Sequence, residues 1–294
     1  MDWRKQPTSI IKDAQRNLGL PITGNKDPLT EAAIRNFQHK NKLPVTGELD
    51  SRTLNLLLNE IEFTSDASEN FESFMIHYPL PRNEYIIGPT HKEYLFLHHT
   101  AGWNDPYKQV DGWATDSRGP IGTGYIIGGT NIKNGDDTYD GIVLKTMSDN
   151  DYAWHLGPVD KFMHKHSIGI EICNFGFLTK KGNNYYTYVN QLVLPEQVLD
   201  LKSSFKGHRY WHKYTDRQIS ILKDLILHLC NKHNIDYTVG LIDRLKQMNP
   251  IDAFSYYEAA KSGEVKGMLS HTNVHTGKFD IFPQEEMIDM LLSL

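Results

Sequence analysis

The run EYLFLHHTAG, residues 93–102, closes an apolar stretch with two adjacent histidines, His98 and His99. A short apolar run bounded by small and polar residues reads as a strand buried on both faces. Successive side chains on a strand point to opposite faces, so the two histidines cannot readily serve one centre together. Parity does not choose between them, because both faces of this strand read as buried.

Working outward, GYIIGG, GIVLKTM, SIGIEICNF and VKGMLSHTNV are further β-rich runs bounded by Gly, Asn or Asp. The clearest helix is YTDRQISILKDLILHLCNKHNI. Thr215 and Gln218 have capping-box spacing, and Ile219, Leu222, Ile226 and Leu229 fall on one face. Strands interspersed with helices predict an α/β domain with a mixed central β-sheet flanked by helices.

At 39% hydrophobic and 23% charged, the 294 residues have the composition of a globular protein. With 31 basic against 36 acidic side chains the net charge is −5, which gives no general reason to expect nucleic acid or an anionic membrane as partner. No early segment has signal-peptide character, and no run approaches the roughly 18 apolar residues of a membrane span. Synthesis in the cytoplasm, without membrane insertion, is therefore expected. Cys173 and Cys230 have neither framework nor CxxC spacing and read as buried and reduced.

Near the start, LPITGNKDPLT from Leu20 and LPVTGELDSRT from Leu43 repeat at an offset of 23 residues. In each copy Pro and Gly make a turn, and Asp27 or Asp50 is placed to cap the helix that follows. Pro28 suits a first helical position. Helices are predicted over 8–16, 28–40 and 51–60, a small three-helix domain that in its plainest reading is only a spacer. The acidic, Ser-rich stretch NEIEFTSDASENFES has no sustained period and reads as a linker. The chain thus divides into a helical domain over 1–60, a linker over 61–74 and the α/β domain over 75–294, which is where any catalytic chemistry must lie.

Fourteen histidines need sorting. His39, His77, His91, His208, His212, His228 and His233 read as surface or packing residues, and His164 and His166 as weak candidates in a polar loop. His98, His99, His155, His271 and His275 lie near strand ends. A hydrolytic zinc needs three protein ligands and one open position. SHTNVHTGKFDIFP, residues 270–283, offers His271 and Asp280 with Lys278 between them. A histidine leaving a strand and an aspartate returning after a turn could ligate one metal, with Lys278 a cation near a developing oxyanion. The alternative is a capped loop in which Asp280 pairs with Lys278 and His271 is structural. Glu171 stands among apolar neighbours in SIGIEICNF, where a carboxylate is costly unless paired or linked to a metal. Burial would raise its pKa toward the range of a general base; a salt-bridged structural Glu is the alternative.

Two resemblances add to this reading. The run IIKDAQRNLGLPITGNKDPLTEAAIRNFQHKNKLPVTGELDSRTLNLLL resembles the peptidoglycan-binding type 1 domain in Gln15, Leu18, its Thr–Gly turns and the AIRNFQ helix, which implies bacterial peptidoglycan as partner. Roughly residues 92–283 resemble the zinc-dependent type 2 N-acetylmuramoyl-L-alanine amidases, a family that includes phage lysozymes with amidase activity and peptidoglycan recognition proteins. FLHHTAG, GTGYIIGG, AWHLG, SIGIE, YWHKYTDRQ and SHTNVHTGKFDIFP stand in the family's order.

That resemblance implies Zn2+ as cofactor and His98, His271 and Asp280 as its ligands, with Lys278 matching the lysine two residues before the third. His99 is then a packing residue or a support behind the ligands. The family divides over its proton-handling group; here Glu171 is expected as general base, with Tyr125 orienting water or stabilising the tetrahedral oxygen. His155, Trp154 and Thr100 are the substrate-binding candidates. The implied reaction cleaves the amide between N-acetylmuramic acid and L-alanine of the stem peptide.

A wall hydrolase without a signal peptide fits a monomeric phage endolysin, released through a holin-type membrane hole or carried in a virion. The rivals are a non-catalytic wall-recognition protein and a cytosolic muropeptide-recycling amidase. The chain departs from the family pattern in two ways. DIF replaces the usual DPG at the third ligand, and extra sequence over 177–208 and 236–264 is expected to wall the substrate groove.

Overall fold

The computed structural model describes residues 8–25, 27–41, 43, 45–49, 53, 57, 72, 75–88 and 90–294. Its strands are β1 (Ile76–His77), β2 (Tyr94–His99), β3 (Tyr125–Ile127), β4 (Val143–Lys145), β5 (Ser167–Ile172), β6 (Phe177–Lys181), β7 (Asn184–Tyr186), β8 (Val198–Phe205), β9 (His208–His212) and β10 (Gly267–Ser270). Six of them form the central sheet, in the order β1-β4-β3-β5-β2-β10. Only β3 and β4 pair antiparallel there, so the sheet is mixed, as expected.

Register decides which side chains share a face. On β2 and β5, Leu95, Leu97, Ile168, Ile170 and Ile172 project into the largest core, against Ile219, Leu222, Ile226 and Leu229 of the helix Asp216–His233. That helix begins as the sequence predicts: Thr215 accepts from Gln218 N at 2.9 Å, and Thr215 N donates to the Gln218 side chain at 3.1 Å. The opposite face carries Tyr94 and Phe96, packed on Leu156, Met163 and Leu269. Past them, at the carboxyl ends of the parallel strands β2, β5 and β10, lies a groove. In α/β sheets this is the usual place for a ligand.

The extra sequence folds in two ways. Residues 177–212 make a second, antiparallel sheet in the order β7-β6-β9-β8, including the predicted hairpin. Residues 236–264 contribute the short helices Leu241–Gln247, Pro250–Ala253 and Glu258–Lys261.

In the N-terminal part, helices Thr8–Asn17 and Pro28–Lys40 fall where the apolar spacing predicts them. Of the predicted third helix only Thr53 and Leu57 are described, and Asp50 and all of the predicted linker except Glu72 lie outside the described residues. Asp27 accepts from Thr30 N at 2.8 Å, as a cap should. The 23-residue repeat has a physical cause beyond turn chemistry, in two fully buried glutamines at equivalent places, Gln15 and Gln38.

Gln15 Nε2 reaches Thr23 Oγ1, Asn25 O and Thr30 Oγ1 at 2.8–2.9 Å, and its carbonyl accepts from Gly24 N at 2.8 Å. Gln38 repeats this with Thr46 Oγ1, Glu48 O and Thr53 Oγ1, and accepts from Thr46 N and Gly47 N at 2.9 and 2.7 Å. The turns themselves need glycine, since Gly24 and Gly47 have φ of 70° and 72°. Replacing Gln38 with Ala strands the buried Gly47 N–H, at roughly 1–3 kcal/mol, and frees the part-buried Thr46 N–H. A urea titration followed by circular dichroism should therefore show an early helical transition that the parent chain lacks.

Candidate active site

His98 and Glu171 are direct partners in the β2–β5 register, so both face the groove. His99, one residue on, points to the other side. There its Nδ1 lies 2.9 Å from the Tyr214 hydroxyl and its ring packs edge-on against Phe282. The question posed by the two histidines is thus settled geometrically: His98 faces the groove and His99 is packed beneath it.

His271 is the first residue after β10, opening the helical turn His271–Val274. Asp280 returns to it through a loop, and its backbone carbonyl accepts from Thr272 N at 2.9 Å. The three side chains converge. His98 Nδ1 lies 2.9 Å from His271 Nδ1 and 3.1 Å from Asp280 Oδ2, and His271 Nδ1 lies 2.8 Å from that same oxygen. At 2%, 3% and 7% exposure, none can turn to bulk water for a partner.

Burial, with His271 as neighbour, drives the His98 pKa down to about 4, so its imidazole is neutral near pH 7. Burial alone would raise the Asp280 carboxyl, but His271 and His98 together hold it well below the usual carboxylate range. Two imidazole nitrogens and a carboxylate oxygen form a zinc-type donor set. With Asp280 ionised, protons cannot satisfy such a triangle. If both nitrogens carry hydrogen, two N–H groups face each other; if one does not, its lone pair faces an acceptor. A cation at the centre satisfies all three atoms, so the residues fit a metal, and among the described residues this is the one His/Cys/Asp/Glu group suited to hold one.

Burial, and next the field of Asp280, raise the Glu171 carboxyl well above its ordinary value. No described hydrogen bond or salt bridge engages its side chain, which faces the groove together with exposed Lys278. Lys278 does not make the Asp280 ion pair that a closed structural loop would require; Asp280 pairs with the two histidines instead.

Tyr125 departs from its expected place. It pairs with Ile170 rather than Glu171 and so projects from the opposite face. There it is fully buried and its hydroxyl donates to Asp149. The structure does not bring it to the His98–His271–Asp280 cluster.

The substrate-binding candidates divide. Trp154 and Thr100 line the groove, but the Thr100 hydroxyl already accepts from Gly102 N and Asn174 N. His155 lines it too, yet its Nδ1 lies 2.9 Å from His98 Nε2, behind the cluster. His164 sits in the short helix Lys161–Lys165 rather than a polar loop, buried with its Nε2 3.0 Å from Gly157 O. His275 stands outside the triangle, accepting from Gly277 N at 3.0 Å.

Ser167 and Gly169 also belong to the site, and the SIGIE run carries their signal. In SIGIE the residues Ser167, Gly169 and Glu171 alternate with isoleucines and share the groove face. A Cβ on Gly169 would lie 3.0 Å from His155 Nδ1 and 2.7 Å from Thr123 Cγ2, so the glycine makes room for that ring.

The DIF departure is explained by packing. Ile281 and Phe282 are fully buried, and the Phe282 ring stacks on Trp211 and Tyr214 with centroids 4.6 and 4.4 Å apart. This aromatic stack holds the loop carrying Asp280. The open groove, about 650 Å³, takes Phe177 and Tyr188 from the first extra segment. No described residue of 236–264 lines it. That segment instead braces the His271 turn from behind, where Asn273 Nδ2 donates to Ala253 O and Ser255 O at 2.9 and 3.1 Å.

Comparison with known proteins agrees with this class of fold. The family described as "N-acetylmuramoyl-L-alanine amidase" matches residues 89–247, and the chain belongs to it. The match includes His98 and Glu171 and stops before His271 and Asp280. The "Putative peptidoglycan binding domain" family matches residues 17–57.

Similar solved structures include an endolysin N-acetylmuramoyl-L-alanine amidase, LysCS, from Clostridium intestinale URNW, at 15% identity and a TM-score of 0.38 over 74% of this chain and 94% of that one. A selenomethionine AmpD derivative gives 15% and 0.39 over the same shares. AmiD from E. coli, in complex with an anhydro-muramyl peptide substrate, gives 14% and 0.34 over 72% and 84%. A search of curated proteins finds no significant match. No helix among the described residues is long and apolar enough to cross a membrane.

Proposed function

We propose that this chain is a zinc-dependent peptidoglycan hydrolase that cleaves the amide between the lactyl group of N-acetylmuramic acid and L-alanine. The observation that carries the reading is the buried His98–His271–Asp280 triangle with Glu171 on the adjoining strand position, at the floor of an open groove. His98, His271 and Asp280 hold the zinc, which when bound supplies a water of lowered pKa and polarises the scissile carbonyl. Glu171 takes the proton from the attacking water and returns it to the departing L-alanine amine. Lys278 offers a cation to the oxygen that gains charge. Trp154 and Tyr188 flank the substrate, and the N-terminal domain keeps the enzyme on the wall. Acting on polymeric wall, with an anchoring domain attached, fits a phage endolysin better than the recycling of soluble fragments.

Product analysis of digested peptidoglycan, with and without a chelator, tests this. New L-alanine amino termini are expected, without new reducing sugars, and zinc should restore activity after chelation. A zinc-loaded protein that sediments with walls yet releases nothing would instead mark a binding module.

A further inference from the structure

We propose that Ser167 and His155 are positioning residues that hold His98 in the tautomer with a bare Nδ1, presetting it as a metal ligand before any metal arrives. The inference rests on the ligand role given to His98 above and adds the device that enforces it. Three contacts form a chain away from the groove. His98 Nε2 lies 2.9 Å from His155 Nδ1, His155 Nε2 lies 2.7 Å from Ser167 Oγ, and Ser167 Oγ lies 3.2 Å from the backbone oxygen of His164.

The last link fixes the direction of the rest. A backbone carbonyl can only accept, so the single Ser167 hydroxyl hydrogen goes to His164 O. The serine oxygen is then free to accept, and His155 Nε2–H donates to it. A neutral imidazole carries one N–H, so His155 Nδ1 is a lone pair and accepts from His98 Nε2–H. His98 Nδ1 is therefore bare and faces His271 and Asp280. Running the chain backwards would leave a buried carbonyl facing a lone pair and put a proton where a cation must sit.

The surroundings keep the relay in place. His155 N donates to His164 Nδ1 at 3.2 Å, and His164 Nε2–H donates to Gly157 O at 3.0 Å, which ties the loop carrying His155 to the helix beside Ser167. Gly169, the residue between Ser167 and Glu171 on the same face, leaves the space that the His155 ring occupies. The alternation within SIGIE thus serves the metal twice, through a base at Glu171 and through the anchored relay that starts at Ser167.

Two measurements test the proposal. In metal-free full-length protein, a long-range 1H–15N spectrum of the histidine rings, with His98 assigned by its loss in His98→Ala, should show the Nε2–H tautomer. Zinc affinity, measured by competition with a chromophoric chelator, should fall roughly 10- to 100-fold in Ser167→Ala and recover in Ser167→Thr, which keeps the hydroxyl. An Nδ1–H tautomer at His98 overturns the proposal. So does an unchanged zinc affinity in a folded Ser167→Ala protein. If that variant fails to fold, the spectrum of the parent protein decides alone. A parent chain with the expected tautomer that binds no zinc would sink the metal reading above while leaving the relay intact.

Discussion

Replacing Glu171 with Gln should leave zinc content unchanged and lower turnover by roughly 10²- to 10⁴-fold, the usual contribution of a positioned acid–base group. The expectation follows from where the side chain sits. Glu171 is the register partner of His98 and is not part of the converging triangle. The amide keeps the shape and removes only the ability to take a proton. Tyr125→Phe is the informative contrast. Its hydroxyl donates to Asp149 on the far side of the sheet, so the variant should lose stability while kcat per folded molecule stays within about twofold. Metal analysis and steady-state rates on a soluble muramyl peptide would read both. A Glu171→Gln enzyme with near-normal turnover would remove Glu171 from the proton-transfer role.

Stripping the metal should abolish cleavage and also lower the melting temperature. A ligand that binds only the folded state, present at a thousand times its Kd, stabilises it by about 4 kcal/mol. For a domain of this size that is a shift on the order of 10 °C. Asp280→Ala should erase both responses. Without the carboxylate the site keeps its two imidazoles and loses the charge that offsets a dication in a buried place. Calorimetry of parent and variant, each with and without zinc, separates this from a general loss of fold. A variant that still gains the full shift would mean that the metal sits elsewhere.

Much of the site was readable because its chemistry is local in sequence. Glu171 among isoleucines, a histidine at a strand end, and His271 and Asp280 flanking a short loop are each costly or idle without a partner. Tyr125 was misplaced for a definite reason. GYIIGG contains no polar and apolar alternation from which to read its facing, and a strand set one residue differently in register exchanges its faces. Ser167, Gly169 and His155 were hidden in another way. Their roles are contacts made through the His155 ring between separate segments of the chain, and no spacing rule records such a contact.

The sequence by itself determined the α/β class, the helix Asp216–His233 with its capping box, and the first two N-terminal helices. These depend on period and on local capping, which act over a few residues. Only the tertiary structure decided that His98 rather than His99 faces the groove, that Tyr125 does not, and that Phe282, between Trp211 and Tyr214, holds the loop of Asp280. Both faces of β2 are buried, so hydrophobicity carries no information about direction there. Strand register and long-range packing supply it.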